Sequence, residues 1–135
     1  PDCHVVLRGG REPNYDAASV GAACGLMAAG KIPQRVMIDA SHANSRKVAD
    51  NQPGVVSDIA AQVEAGDQRV FGVMVESHLM SGRQDLVDGK ALVYGRSITD
   101  ACIDWETSVW VLERLARAVE GRRKLAKGRA PGVRA

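Results

Sequence analysis

The sequence is poor in aromatic residues, has only three cysteines and contains no long uninterrupted apolar run. Phe, Tyr and Trp together make up 4% of its 135 residues. A single-strand nucleic-acid surface needs stacking aromatics on a basic face, so no nucleic-acid partner is expected. No stretch approaches the roughly 18 apolar residues that span a bilayer, and no charged-then-apolar leader precedes the first apolar run, so no membrane partner is expected either. Cys3, Cys24 and Cys102 are odd in number and lack CxxC spacing. They suit neither a disulfide framework nor a zinc knuckle, and a reducing cytoplasm is the simpler home.

The formal charge of +2 is unevenly placed. Arg122, Arg123, Lys124, Lys127, Arg129 and Arg134 fall in a stretch without acids, and leaving them out turns the balance to −4. The expected organisation is one domain over residues 1–121, followed by a basic tail over 122–135 that frays into solvent. With 45% hydrophobic and 25% charged residues, the domain has material for a core. The chain opens on Pro1 and reaches the apolar run Val5-Val6-Leu7 almost at once, as expected of a chain entered in mid-fold.

Val5-Val6-Leu7, Val36-Met37-Ile38 and the run from Val70 to Val75 are short and nearly all apolar, the pattern of parallel strands covered on both faces. Between them, Ala17, Val20, Cys24 and Met27 step at helical spacing from an Asp16 cap to Gly30. Val55, Val56, Ile59, Ala60 and Val63 do the same and stop before Gly66. Residues 81–90 read as an inserted loop, and a fourth strand is expected within 92–98. A long helix follows, with Val109, Leu112, Leu115, Ala116 and Val119 as its apolar stripe. Parallel strands with helical crossovers make either an open doubly wound sheet or a closed barrel.

In a barrel the chemistry lies at the C-terminal ends of the strands, all on one rim. The polar groups after each apolar run are Arg8, then Asp39 to Asn44, then Glu76 to His78, with Thr99-Asp100 after the fourth. Arg8 to His42 is 34 residues and His42 to Glu76 is 34 again, one strand-plus-helix unit each, and Asp100 lies 24 further on. Arg8, His42, Glu76 and Asp100 can therefore converge. One imidazole with two carboxylates suits a divalent ion such as Mn, Fe, Zn or Co, and equally a hydrogen-bonded loop cluster. Arg8 beside Gly9-Gly10 suits a carboxylate or phosphate held by two hydrogen bonds, and equally a rim salt bridge. Asp39 either orients the His42 imidazole or pairs with Arg35 or Arg46. Ser41 next to His42 lacks a nucleophile-elbow pattern, His78 reads as loop structure, and Cys24 and Cys102 read as packing.

Four segments carry a resemblance. They are Leu7-Arg8-Gly9-Gly10 with Glu12-Pro13-Asn14-Tyr15; Met37-Ile38-Asp39 with Ser41-His42-Ala43-Asn44-Ser45; Gly72-Val73-Met74-Val75-Glu76-Ser77-His78; and Tyr94-Gly95 with Ser97-Ile98-Thr99-Asp100-Ala101-Cys102-Ile103 and Trp105-Glu106. In order and spacing they resemble type I DAHP synthase, over nearly the whole chain to about Ala118. The resemblance implies an α/β fold, the C-terminal half of a TIM (β/α)8 barrel. It also implies a metal-dependent, aldol-type condensation of phosphoenolpyruvate with D-erythrose 4-phosphate, giving 3-deoxy-D-arabino-heptulosonate 7-phosphate and phosphate at the entry to the shikimate pathway. Carried over by motif position, Arg8 binds phosphoenolpyruvate and His42, Glu76 and Asp100 hold the divalent ion. His42 and Asp100 also bind substrate and take part in catalysis, Asp100 facing erythrose 4-phosphate. The family's cysteine ligand and its Lys-Pro-Arg-Thr segment belong to an N-terminal half that this sequence does not contain. The full-length enzyme is expected to be a homo-oligomer and the isolated piece inactive. The competing readings are a related sugar-acid phosphate synthase acting on arabinose 5-phosphate, and a non-catalytic remnant that serves as an interaction module.

Overall fold

A computed structural model describes residues 4–128. Three parallel strands, β1 (Val5–Leu7), β2 (Val36–Asp39) and β3 (Val70–Met74), form one sheet in the order β1-β2-β3. Leu7 pairs with Ile38, and Ile38 with Val73. Helices α1 (Ala17–Ala29) and α2 (Gln52–Glu64) are the crossovers between them. The Asp16 carboxylate caps α1, accepting from the Ala18 and Ser19 N–H groups at 3.0 Å, and these bonds with the Ser19 hydroxyl hold its pKa below the usual carboxylate range. Gly30 closes the helix by donating to the Leu26 carbonyl. Both limits lie where the sequence pattern puts them.

The helices turn the expected residues inward. Val20, Cys24 and Met27 of α1 and Val55, Val56, Ile59, Ala60 and Val63 of α2 meet Val36 and Ile38 of β2 in a single core. Each fully buried aliphatic side chain contributes about 1.5–3 kcal/mol, so this face supplies most of the driving force for the unit. The sheet is not covered on both faces, as the unbroken apolar runs had suggested. Val6, Phe71 and Met74 remain 37%, 47% and 39% exposed. Among the described residues no helix is long and apolar enough to cross a membrane.

Four expectations about individual elements are corrected. The stretch read as a loop over 81–90 begins with a strand, β4 (Met80–Arg83), and the fourth strand sought within 92–98 shrinks to β5 (Arg96–Ser97), which pairs in parallel with β4 and not with β3. The place beside the end of β3 is taken instead by Ile103, which bridges Ser77, accepts from the His78 N–H at 2.9 Å and donates to the Glu76 carbonyl at 3.0 Å. Helix α3 (Trp105–Gly128) is long, as expected, but its buried face is Ser108, Val111 and Ala118. Of the expected stripe, Leu115 and Val119 pack partly buried against the core, while Val109 and Leu112 are 37% and 63% exposed. The side of the helix turned inward carries Ser108, Val111, Leu115 and Ala118. Finally, the basic segment from Arg122 does not fray at once. It continues α3 to Gly128, and Arg122 Nη1 donates to the carbonyls of Asp67 at 3.0 Å and Val70 at 3.1 Å. The rest of the expected tail, 129–135, lies outside the described residues, as does Cys3.

Candidate metal and anion site

The site is assembled where the three sheet strands end. Asp39, the last residue of β2, is 1% exposed. Its Oδ1 accepts from the Ser41 N–H at 2.8 Å and its Oδ2 lies 2.8 Å from His42 Nδ1. A carboxylate on Nδ1 keeps the proton there, which leaves Nε2 with a lone pair. That nitrogen points at two more carboxylates, 3.9 Å from Glu76 Oε1 and 3.9 Å from Asp100 Oδ2. One donor atom from each of His42, Glu76 and Asp100 lies within 4.8 Å of the others.

These distances are too long for hydrogen bonds and suit a shared ion. At metal–ligand bond lengths of roughly 2.0–2.2 Å, two donors on one ion stand about 3–4 Å apart. Two carboxylates facing one another repel unless a cation or proton lies between them. An imidazole nitrogen with two hard oxygens fits a divalent ion of the borderline or hard kind, and the buried Asp39 stands where the carboxylate of a carboxylate–histidine–ion relay would stand.

The loop that carries His42 is held against its backbone preference. His42, Arg46 and Lys47 all have positive φ, at 47°, 54° and 60°. Residues with a Cβ reach that region at a penalty of order 1–3 kcal/mol each, and they persist only where the surroundings over-determine them. Asn44 does much of this. Its Nδ2 donates to the carbonyls of Asp39 at 2.7 Å and Leu7 at 3.1 Å, and its Oδ1 accepts from the Asn14 N–H at 2.7 Å. Asn14 in turn accepts from the Gly9 N–H at 2.7 Å. Gly9 has φ 76°, and a Cβ there would stand 2.8 Å from Ala43 Cβ and 2.9 Å from the Asn44 nitrogen. The loops after β1 and β2 thus interlock, which brings Arg8 to within 3.6 Å of Asp39 Oδ2 through its Nε. Of the alternatives for Asp39, the contacts are to His42 and Arg8; Arg46 pairs with Glu12 instead.

Beside the cluster opens a cavity of about 480 Å³ lined by Arg8, His42, Lys47, Arg83, Asp100 and several small polar residues. Its basic groups suit an anionic ligand. All four residues singled out from the sequence therefore lie together, Arg8, His42 and Asp100 on the cavity and Glu76 through its contact with His42. Sequence reasoning gave no part to Lys47, Arg83 or Gln52. His78 accepts from the Leu79 N–H at 2.8 Å, a loop contact. Cys102 is buried with its thiol toward the Asp100 carbonyl, and burial pushes its pKa up, with the Glu76 and Asp100 carboxylates acting in the same direction.

Comparison with known proteins agrees on one lineage. A phospho-2-dehydro-3-deoxyheptonate aldolase of Haemophilus influenzae is 54% identical over 125 residues, covering 91% of this chain and 34% of that protein. The Phe-sensitive aldolase of the same name from Escherichia coli K12 is 52% identical over 123 residues, 90% of this chain and 35% of that protein. A solved phospho-2-dehydro-3-deoxyheptonate aldolase structure from Francisella tularensis superposes with a TM-score of 0.85 at 44% identity, over 89% of this chain and 35% of the other. The chain thus spans about a third of the length of the relatives it matches. Residues 1–113 match the family model described as the DAHP synthetase I family, and the chain belongs to that family.

Proposed function

We propose that this chain is the C-terminal half of a (β/α)8 barrel and supplies part of the active site of a metal-dependent enzyme. That enzyme condenses phosphoenolpyruvate with erythrose 4-phosphate, giving 3-deoxy-D-arabino-heptulosonate 7-phosphate and phosphate. The observation that carries the reading is the meeting of His42 Nε2, Glu76 Oε1 and Asp100 Oδ2 at the strand ends, in a chain of this family. The sequential order β1-β2-β3 fits a barrel segment and equally one half of a doubly wound sheet, and membership of this family supports the barrel. The open sheet face with Val6, Phe71 and Met74, and the exposed Trp105 and Leu112 of α3, are surfaces that the rest of a barrel would cover.

In this reading His42, Glu76 and Asp100 hold the divalent ion, and Asp39 fixes the ring that presents Nε2. When bound, the ion supplies Lewis-acid polarisation of an aldehyde or a water made acidic. Arg8 receives phosphoenolpyruvate with its planar guanidinium, suited to a carboxylate or phosphate, and Lys47 and Arg83 add positive charge to the same cavity. Asp100, which lines the cavity as well as belonging to the cluster, would face erythrose 4-phosphate. We place the enzyme in the cytoplasm and expect the full-length protein to be a homo-oligomer; the buried free thiols of Cys24 and Cys102 accord with a reducing compartment.

The test uses the full-length parent protein with phosphoenolpyruvate, erythrose 4-phosphate and Mn²⁺. Phosphate release is expected, lost in Glu76→Gln and lost on chelation. A folded parent that releases none, or that prefers arabinose 5-phosphate, would overturn the proposal. The 135-residue chain alone is expected to release no phosphate, because it presents part of the site on an open sheet.

A further inference from the structure

Glu76 lies beyond the last residue of β3, where, among the described residues, no neighbouring strand pairs with its backbone on the α2 side. A side chain takes that role. Gln52, the first residue of α2 and 0% exposed, donates from Nε2 to the Glu76 carbonyl at 3.1 Å and accepts at Oε1 from the Glu76 N–H at 2.9 Å. We propose that Gln52 is a positioning residue for the metal centre, its amide gripping both backbone polar groups of Glu76 so that the carboxylate is presented to His42 in one orientation. The inference rests on the metal-centre reading above.

The geometry distinguishes this from simple filling of space. The Glu76 N–H and C=O belong to the two peptide groups that flank its Cα, so one hydrogen bond would leave the other plane free to turn, whereas the pair holds both, as a neighbouring strand does. An apolar side chain of the same volume would fill the space but leave the Glu76 N–H without this partner, so what the amide adds is its hold on that backbone.

The contacts around the amide extend the argument. Asn51, the residue before it, donates from Nδ2 to the Ser45 carbonyl at 3.0 Å, inside the loop that carries His42. The Glu76 carbonyl also accepts from the Ile103 N–H at 3.0 Å, in the segment that carries Asp100. Two adjacent side chains at the start of α2 therefore tie the backbone bearing the imidazole to the backbone bearing one carboxylate. The Glu76 carbonyl that Gln52 holds is bonded in turn to the segment bearing the other carboxylate. The separation of the three donors is set through this hub.

The experiment titrates the metal-free, full-length parent protein with Mn²⁺, following free Mn²⁺ by electron paramagnetic resonance, and records thermal melts of the same samples. Gln52→Met keeps the volume and removes both bonds, and Gln52→Asn keeps an amide too short to make both. Ile59→Val, a core change in the same helix, controls for lost stability. Both Gln52 variants are expected to bind Mn²⁺ about 10- to 100-fold more weakly, the usual effect of losing a group that orients a metal ligand, while Ile59→Val binds as wild type. Should Gln52→Met fail to fold, Gln52→Asn carries the same measurement. Wild-type Mn²⁺ affinity in a folded Gln52 variant, or equal weakening in Ile59→Val, would overturn the inference and leave the metal centre standing. A wild-type parent that binds no Mn²⁺ would remove the reading beneath it.

Discussion

Replacing Asp39 by Asn changes one heavy atom in a buried site, and its consequence can be worked through bond by bond. Asp39 accepts two hydrogen bonds, from the Ser41 N–H and from His42 Nδ1, both at 2.8 Å. An asparagine has one acceptor for these two donors. If its oxygen stays on Ser41, its amide N–H groups face Nδ1, the ring proton moves to Nε2, and the atom directed at Glu76 and Asp100 becomes a donor that cannot ligate an ion. If the amide flips to satisfy the imidazole, its N–H groups confront the Ser41 N–H. Either way a hydrogen bond to a buried charged group is lost, and such bonds contribute about 1.5–3 kcal/mol. At about 1.4 kcal/mol per factor of ten, the Asp39→Asn parent enzyme should bind Mn²⁺ some 10- to 100-fold more weakly. The drop should appear both in a direct metal titration and in the Mn²⁺ concentration that supports half-maximal phosphate release. Unchanged affinity in a folded Asp39→Asn protein would show that the imidazole's proton position is not set by this carboxylate.

Three further outcomes follow from particular contacts. Gly9→Ala introduces a Cβ at positive φ, about 1–2 kcal/mol for an L-residue, and into contacts of 2.8 and 2.9 Å, about 1–3 kcal/mol of overpacking. A loss of about 2–5 kcal/mol in denaturant unfolding of the parent is expected. Gly10→Ala meets nothing within 4 Å and should be near neutral, so equal losses in the two would refute the interlock between the loops. Asp16 has a folded pKa lowered below its ordinary 3.8 by its bonds to Ser19. Its stabilisation is therefore complete above that value and lost as pH falls through the folded value. Asp16→Asn keeps the cap without the titration, so denaturation midpoints of wild type and variant should converge as pH drops below 3.8, and parallel curves would contradict the cap. Cys24 and Cys102 are 1% and 4% exposed, so in a Cys3→Ser background a thiol reagent should label neither until denaturant is added. Rapid labelling of the folded protein would contradict their burial.

The helices and strands were legible because their signals are periodic and local. Val20, Cys24 and Met27 repeat at helical spacing between an Asp cap and a Gly stop, and α1 runs between those marks. The same signals failed where one pattern admitted two solutions. In α3 Val109 and Leu112 step as regularly as Val111 and Ala118, and what decides between the two faces is the fit against α2, which periodicity does not encode. Residues 92–98 suggested a fourth strand, yet the Gln84 side chain ties this segment to the end of β4, bonding the Val93 and Arg96 carbonyls at 2.9 and 2.8 Å.

The site divides along a different line. Arg8, His42 and Glu76 could be picked out because each follows an apolar run whose strand ends on a common rim, whereas Asp100 reaches that rim through the Ile103 segment that bridges the end of β3. Residues that hold those four in place were silent for a physical reason. Gln52 and Asn44 bond mainly to backbone N–H and C=O groups, at Glu76, Asp39, Leu7 and Asn14, and those groups are the same at almost every position of any chain. A side chain that pairs with a charge leaves a complementary residue to find, whereas one that pairs with a peptide leaves only its own polarity at a site that turns out to be buried. Gln52, at the head of an apolar helix, offered that one sign, and only the tertiary structure gives it a partner.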